Sequence, residues 1–155
     1  MIRTLIFDQA KQCGWALFDE DRLIDYGVER LGCDKTAYEK ILLPAYEFAK
    51  NLIDKTKADR IVIEGIQCQS NLATYRKLAL LQGVLICLFV KNNYPYSIVE
   101  PSKWKSFCEI KGKKRQEQKE NTIKFVKDRF DIDVSSDAAD AICMGVWSVN
   151  SGKEM

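Results

Sequence analysis

The sequence predicts an α/β fold built on a mixed five-stranded sheet, three antiparallel strands and then two parallel ones, flanked by helices. Three short apolar runs lie in the first 30 residues and are joined by short connections, which is typical of an antiparallel meander. Two further short runs each follow a segment with helical spacing, and a strand reached through such a crossover usually runs parallel to its neighbour. A length of 155 residues fits one domain, so residues 1–155 are expected to form a single unit.

The three amino-terminal strands are predicted at residues 2–7, 13–18 and 22–30. Each run is rich in apolar and β-favouring residues, and an acidic turn at residues 19–21 separates the second strand from the third. Asp8 follows the first strand directly. Its carboxylate can hydrogen-bond the backbone of the turn, as aspartate often does, or it can be a ligand at the end of the strand.

A helix is predicted next, because Thr36 and Glu39 have the spacing of a capping box and apolar residues follow at helical intervals. The helical pattern ends near Lys55. Pro44 lies inside this segment, and proline lacks the backbone N–H that a helix interior needs, so we expect a kink or a break there.

The strand predicted at residues 60–63 repeats the pattern of the first strand, an apolar run that ends in a carboxylate, here Glu64. Ligands bind outside the carboxyl ends of parallel strands, and neighbouring strands would bring Asp8 and Glu64 together at that edge. Two like charges at close range repel unless a cation lies between them or one is protonated. The alternative is that these are two unrelated acids at the ends of separate strands.

A long helix is predicted from Leu72 to about Asn92, capped by Asn71, and its second half is almost wholly apolar. A helix that is apolar on nearly all sides is buried, either in the core or against a second copy of the chain. A homodimer is therefore one of two expectations. The most apolar run, at residues 78–90, is too short to span a bilayer, and the last strand is predicted at residues 96–99.

Basic residues crowd the segment from 102 to 129, with Trp104 and Phe107 among them and Gly112 in the densest part. In a chain of net charge +2, such a concentration indicates a phosphate-binding face. For part of the segment the alternative is a solvated helix with Glu–Lys pairs. The residues assigned to DNA binding are Lys103, Lys105, Lys111, Lys113, Lys114, Arg115 and, early in the long helix, Arg76.

Asp137 and Asp140 lie three residues apart at the predicted start of the last helix, so their carboxylates share one face. They can cap the helix at the rim of the core, or they can hold a cation. With Asp8 and Glu64 they make a set of four oxygen ligands, and a carboxylate set without histidine or cysteine suits Mg²⁺ or Mn²⁺.

The sequence contains no histidine, which excludes Ser-His-Asp and Cys-His catalysis and leaves carboxylates, lysine or a metal for hydrolysis. The six cysteines are scattered without a CxxC pair, which argues against zinc and favours free thiols in a reducing cytoplasm. No signal peptide is expected, since Met1 leads directly into the first strand.

Several motifs together resemble the RuvC-type Holliday junction resolvases of the ribonuclease H-like superfamily, and the short phage-encoded members most. They are IFDQA followed by Gly14, VIEG, YSIVEPSKWK, KGKKRQEQK and SSDAADAICMG. The resemblance covers nearly the whole chain and implies the ribonuclease H-like fold. It also implies a homodimer that binds four-way DNA junctions and nicks two opposed strands with divalent metal, Mg²⁺ with Mn²⁺ expected to substitute. The catalytic, metal-binding acids that it implies are Asp8, Glu64, Asp137 and Asp140.

Two positions depart from the family pattern. Many members have an aromatic residue three positions after the strand-end glutamate, where this chain has Gln67. The family's functional lysine falls at Gln118 in the simplest register, so its catalytic role is assigned to the next residue, Lys119. The likeness to the short phage-encoded members implies branched DNA in general as the target, Y-forks included, and the cytoplasm of the bacterial host as the location if the chain is phage-encoded.

Two other functions remain open at this point. A ribonuclease H-like enzyme acting on RNA–DNA hybrids would not need an apolar dimer helix. A non-catalytic protein that binds branched DNA would not need four clustered acids, whose charges would oppose the binding of phosphate.

Overall fold

The computed structural model describes residues 1–67 and 71–151 and confirms the mixed five-stranded sheet. Its strands are β1 (Arg3–Asp8), β2 (Gln12–Asp19), β3 (Arg22–Arg30), β4 (Arg60–Glu64) and β5 (Tyr96–Val99). They are ordered β3-β2-β1-β4-β5. The pairs β1–β2 and β2–β3 are antiparallel, whereas β1–β4 and β4–β5 are parallel, as predicted.

Helices pack on both faces of this sheet. They are α1 (Glu39–Thr56), α2 (Leu72–Lys91), α3 (Pro101–Phe107), α4 (Arg115–Phe130) and α5 (Ser136–Asn150). Successive side chains of a strand point to opposite faces, and β1 is buried on both. Ile6 packs into the core beneath α5 with Ile142, whereas Leu5 and Phe7 pack into the core beneath α1 and α2 with Leu85.

The amino-terminal end of α1 differs from the prediction. The hydroxyl Oγ1 of Thr36 accepts a hydrogen bond from the N–H of Cys33 at 3.0 Å, so it closes a local turn and does not cap the helix. The N-cap residue is Tyr38, which makes no side-chain capping bond. The break expected at Pro44 does not occur, and α1 continues as one helix through it.

The cap predicted at Asn71 is confirmed. Oδ1 of Asn71 accepts a hydrogen bond from the N–H of Thr74 at 3.2 Å, and α2 begins directly after Asn71, at Leu72. Oγ of Ser135 accepts from the N–H of Ala138 at 3.4 Å and starts α5. The five cysteines within the described part of the chain are free thiols, and Cys68 lies outside it.

One side of α2 is buried and the other is not. Leu81, Leu85, Leu88 and Phe89 are buried against the sheet and α1, whereas Leu80 is 54% exposed. Among the described residues, α2 is the one helix long and apolar enough to cross a membrane by length and composition alone. The same test is passed by core helices of proteins that span no membrane.

Gly14 determines how closely α5 approaches the sheet. It lies in β2 opposite Asp8, and a Cβ atom there would stand 2.0 Å from the backbone oxygen of Asp137. Any larger residue would push the start of α5 away from the sheet. The absence of a side chain at Gly14 therefore lets the first turn of α5 lie directly against the end of β1.

Candidate active site

The four acids predicted from the sequence lie at the carboxyl edge of the sheet, near enough for their charges to interact. Because β1 and β4 pair in parallel, their last residues, Asp8 and Glu64, lie side by side. Asp137 and Asp140 come from the first turns of α5. Burial raises the pKa of Asp8 well above its usual value, and the negative charges of the other three acids raise it further.

The pKa of two more members of this group is raised as well. Burial raises the pKa of Asp140 to about 7, and the charges of Glu64 and Asp137 add to the effect. Burial is also the main cause of the raised pKa of Glu64, and Glu100 contributes. Ionising these groups in the folded chain is unfavourable, so at neutral pH their charges oppose folding unless a cation offsets them.

Two lysines reduce this repulsion. The positive charge of Lys105, on α3, lowers the pKa of three of the four acids. Lys119, on α4, lowers the pKa of Asp140. Both lysines therefore lie close enough to act on the carboxylates, and Lys105, assigned to DNA binding from the sequence, is the more central of the two.

Glu64 is held by neighbouring side chains at its backbone and at its carboxylate. Nε2 of Gln9 donates to the carbonyl oxygen of Glu64 at 2.6 Å, and Oε1 of Gln9 accepts from its N–H at 3.2 Å. Nε2 of Gln82 donates to the same carbonyl at 2.8 Å. The indole Nε1 of Trp104 donates to carboxylate Oε2 at 2.6 Å.

The predicted DNA-binding residues lie around this edge. The loop between α3 and α4, here called the basic loop, contains the exposed residues Lys111, Lys113 and Lys114. Arg115 begins α4. Lys103 is exposed on α3, and Arg76 is exposed on α2. The ion pairs formed within residues 1–67 and 71–151 involve none of them. Their charges are therefore available to a phosphate.

A chain of hydrogen bonds connects the basic loop to Lys105. Nε2 of Gln118 donates to the carbonyl oxygen of Gly112 at 3.0 Å, and Oε1 of Gln118 accepts from Nζ of Lys105 at 3.3 Å. Gln118, which the simplest register expects at the position of the family's lysine, ties the loop to the lysine that lowers the pKa of three of the acids. Gln67, the other departure, is exposed.

The donor chemistry of the four acids fits a hard divalent cation. Carboxylate oxygens are the ligands that Mg²⁺ and Mn²⁺ prefer, and the negative charges of the other three acids act on Asp8 in addition to its burial. As they stand, no three acidic or other ligating side chains in the described ranges converge closely enough to hold an ion. Like charges keep apart, and a cation between them would draw them together.

Some residues around the site were not identified from the sequence. Glu100 directly follows β5, so each of the three parallel strands is followed by or ends in an acid, a repetition visible in the sequence. No local sequence pattern marks the other three residues, which are Trp104, Gln9 and Gln82. Their contacts with Glu64 join residues that are 18 to 55 positions apart.

A family model and a curated protein with the same description both match this chain. The family model described as crossover junction endodeoxyribonuclease RuvC matches residues 9–147. The curated protein of that description from Fusobacterium nucleatum is 24% identical over 142 residues, which cover 89% of this chain and 74% of that protein.

Solved structures share the fold at low sequence identity. Thermus thermophilus RuvC in complex with a Holliday junction substrate superposes with a TM-score of 0.77 at 11% identity, covering 99% of this chain and 96% of that one. The yeast mitochondrial Holliday junction resolvase superposes with a TM-score of 0.66 at 16% identity, covering 99% and 80%. Both are similar over almost the whole of this chain.

Replacing Asp140 with asparagine is expected to stabilise the metal-free protein at pH 8 but much less at pH 5. The folded-state pKa of about 7 lies above the ordinary value of 3.8, so the destabilising ionisation is absent at low pH and complete above pH 7. Each kcal/mol removed raises the midpoint of thermal unfolding by roughly 2–4 °C at this size. Thermal unfolding in EDTA at the two pH values measures the difference.

The matched control is Asp128→Asn, which removes an exposed carboxylate from α4 and should change the midpoint little at either pH. An equal effect of Asp140→Asn at pH 5 and pH 8 would contradict the electrostatic cause and leave only a change in packing.

Proposed function

We propose that this chain, which belongs to the RuvC family of crossover junction endodeoxyribonucleases, is a divalent-metal-dependent endonuclease. Its substrates are Holliday junctions and other branched DNA. It binds them as a homodimer and resolves them by paired nicks in opposed strands. The observation that carries this proposal is the group of four carboxylates, whose repulsion raises the pKa of Asp8 and Asp140, together with basic residues that form no ion pair within the described part of the chain.

The cofactor is Mg²⁺, with Mn²⁺ able to substitute, and Asp8, Glu64, Asp137 and Asp140 hold it. Bound there, a divalent ion supplies an activated water and stabilises the leaving oxygen of a phosphodiester. The carboxylates bind as anions, so a raised pKa makes a proton compete with the cation. Affinity for the ion therefore rises with pH through the range in which Asp140, with its pKa of about 7, ionises.

The lysines beside the acids make the approach of DNA possible. A phosphodiester that enters a site with four negative charges is repelled, and nearby cations offset that repulsion. Lys105 and Lys119 are placed to do so, because their charges already act on the carboxylates. The basic loop, linked to Lys105 through Gln118, binds the backbone of a neighbouring arm.

The homodimer proposal is supported by the outer face of α2. Leu72, Leu80 and Val90 of α2 and Leu43 of α1 are each more than half exposed, a concentration of apolar side chains that a second copy would cover. Paired nicks in a two-fold junction require two active sites related by a two-fold axis, which a symmetric dimer supplies.

Asp8→Asn should abolish cleavage of a four-way junction while leaving binding intact or tighter, since it removes a metal ligand and a charge that repels phosphate. Gel-shift titration in EDTA measures binding, and product formation in Mg²⁺ measures cleavage. Asp25→Asn, an exposed acid on β3, is the matched control and should cleave like wild type. Wild-type cleavage by Asp8→Asn would rule out the metal assignment.

Changing Lys113, Lys114 and Arg115 together to alanine should weaken junction binding and flatten its dependence on salt. The slope of log affinity against log salt should fall by about 0.9 for each phosphate of duplex DNA that the variant no longer binds. A charge-matched control, Arg22, Lys55 and Lys57 to alanine, removes exposed cations near the opposite edge of the sheet. If both triple variants give the same slope, the basic loop is not the DNA-binding surface.

Leu80→Glu should convert the dimer to a monomer, because it buries a charge in the proposed interface. Light scattering of the purified protein measures the mass. Leu80 is suited to this test because it is 54% exposed, whereas Leu85 is 3% exposed and a charge there would damage the core. Ile24→Glu, on the exposed side of β3, is the control, and a Leu80→Glu protein that remains dimeric would place the interface elsewhere.

A further inference from the structure

Trp104 contacts one acid of the candidate active site, Glu64, through a side-chain hydrogen bond. Its Nε1 donates to Oε2 of Glu64 at 2.6 Å. Within residues 1–67 and 71–151, Glu64 is the only one of the four carboxylates that accepts a side-chain hydrogen bond. A hydrogen bond to an ionised carboxylate is among the stronger ones in proteins, and it favours the charged form of the acid.

The indole is rigidly placed. Trp104 is 1% exposed and packs with Cys108, Val126 and Ile142 in the core beneath α5. A buried tryptophan N–H needs an acceptor, because an unpaired donor in the core is destabilising. The packing of the ring therefore fixes the direction of the N–H, and the N–H in turn fixes one oxygen of Glu64.

The same ring also lies next to the central lysine of the site. Nζ of Lys105 is 5.6 Å from the centre of the Trp104 ring, within the range of a cation–π contact. One side chain of α3 thus touches both a carboxylate and a cation. The backbone of Glu64 is already clamped by Gln9 and Gln82, so Trp104 supplies the remaining constraint, the orientation of the carboxylate.

We propose that Trp104 is a positioning residue of the active site, whose N–H holds the Glu64 carboxylate in the orientation used for metal binding. This inference rests on the proposed metal-dependent function. It assigns the role to the N–H group and not to the bulk of the ring, so it predicts weaker metal binding when the N–H alone is removed. Residues that orient a metal ligand typically contribute 10–100-fold in metal affinity or activity.

The test replaces Trp104 with benzothienylalanine, which keeps the shape of indole but has sulfur in place of the N–H. Mn²⁺ binding to the full chain without DNA is followed by electron paramagnetic resonance, which counts the free ion. The dissociation constant should rise about 10–100-fold. Junction affinity in EDTA should stay at the wild-type value, and cleavage, reduced at low Mn²⁺ concentration, should recover in part at high Mn²⁺ concentration.

Trp104→Phe is a second variant that also lacks the N–H, and benzothienylalanine at Trp147, a half-buried tryptophan of α5, is the matched control. Unchanged Mn²⁺ affinity in the benzothienylalanine variant at position 104, with junction cleavage intact in the wild type, would overturn the role of the Trp104 N–H, whatever the result for Trp104→Phe, and leave the proposed function standing. A wild-type chain that neither binds Mn²⁺ nor cleaves a junction would overturn both.

Discussion

Four carboxylates of the same charge lie together at one edge of the sheet, and their mutual repulsion is the constraint on which the surrounding structure depends. The parallel pairing of β1 with β4 places Asp8 beside Glu64, and the missing side chain of Gly14 lets the first turn of α5 bring two more acids against them. Burial and repulsion raise the pKa of Asp8 and Asp140, so the arrangement opposes folding at neutral pH. Such a grouping persists only because the two apolar cores on either face of the sheet stabilise it.

The residues around the acids divide into those that fix the carboxylates and those that offset their charge. Gln9, Gln82 and Trp104 hold Glu64 in place through hydrogen bonds. Lys105 and Lys119 lower the repulsion without removing it, because they lie on separate helices outside the group. The negative charge that remains is what a divalent cation would offset. The basic loop extends the positive surface away from the site.

Local patterns in the sequence predicted most of the fold and the four acids, whereas contacts between distant segments were beyond them. The meeting of Asp8 and Glu64 follows from two strands with the same pattern and a crossover between them, which a sequence displays directly. The capping box prediction was wrong because Thr36 accepts a hydrogen bond from the N–H of Cys33 on its other side, a choice that helix spacing does not reveal. The bond from Trp104 to Glu64 spans 40 residues and depends on how α3 packs beneath α5, so no local pattern could have indicated it.

The most direct test of the central claim is cleavage of a labelled synthetic four-way junction by the wild-type chain, in Mg²⁺ and in EDTA, beside a linear duplex of the same sequence. The account predicts paired nicks in opposed strands near the branch, present in Mg²⁺, absent in EDTA and absent on the linear duplex. Tight binding to the junction without nicking, in both Mg²⁺ and Mn²⁺, would contradict it and would leave the four repelling carboxylates without a catalytic reason to lie together.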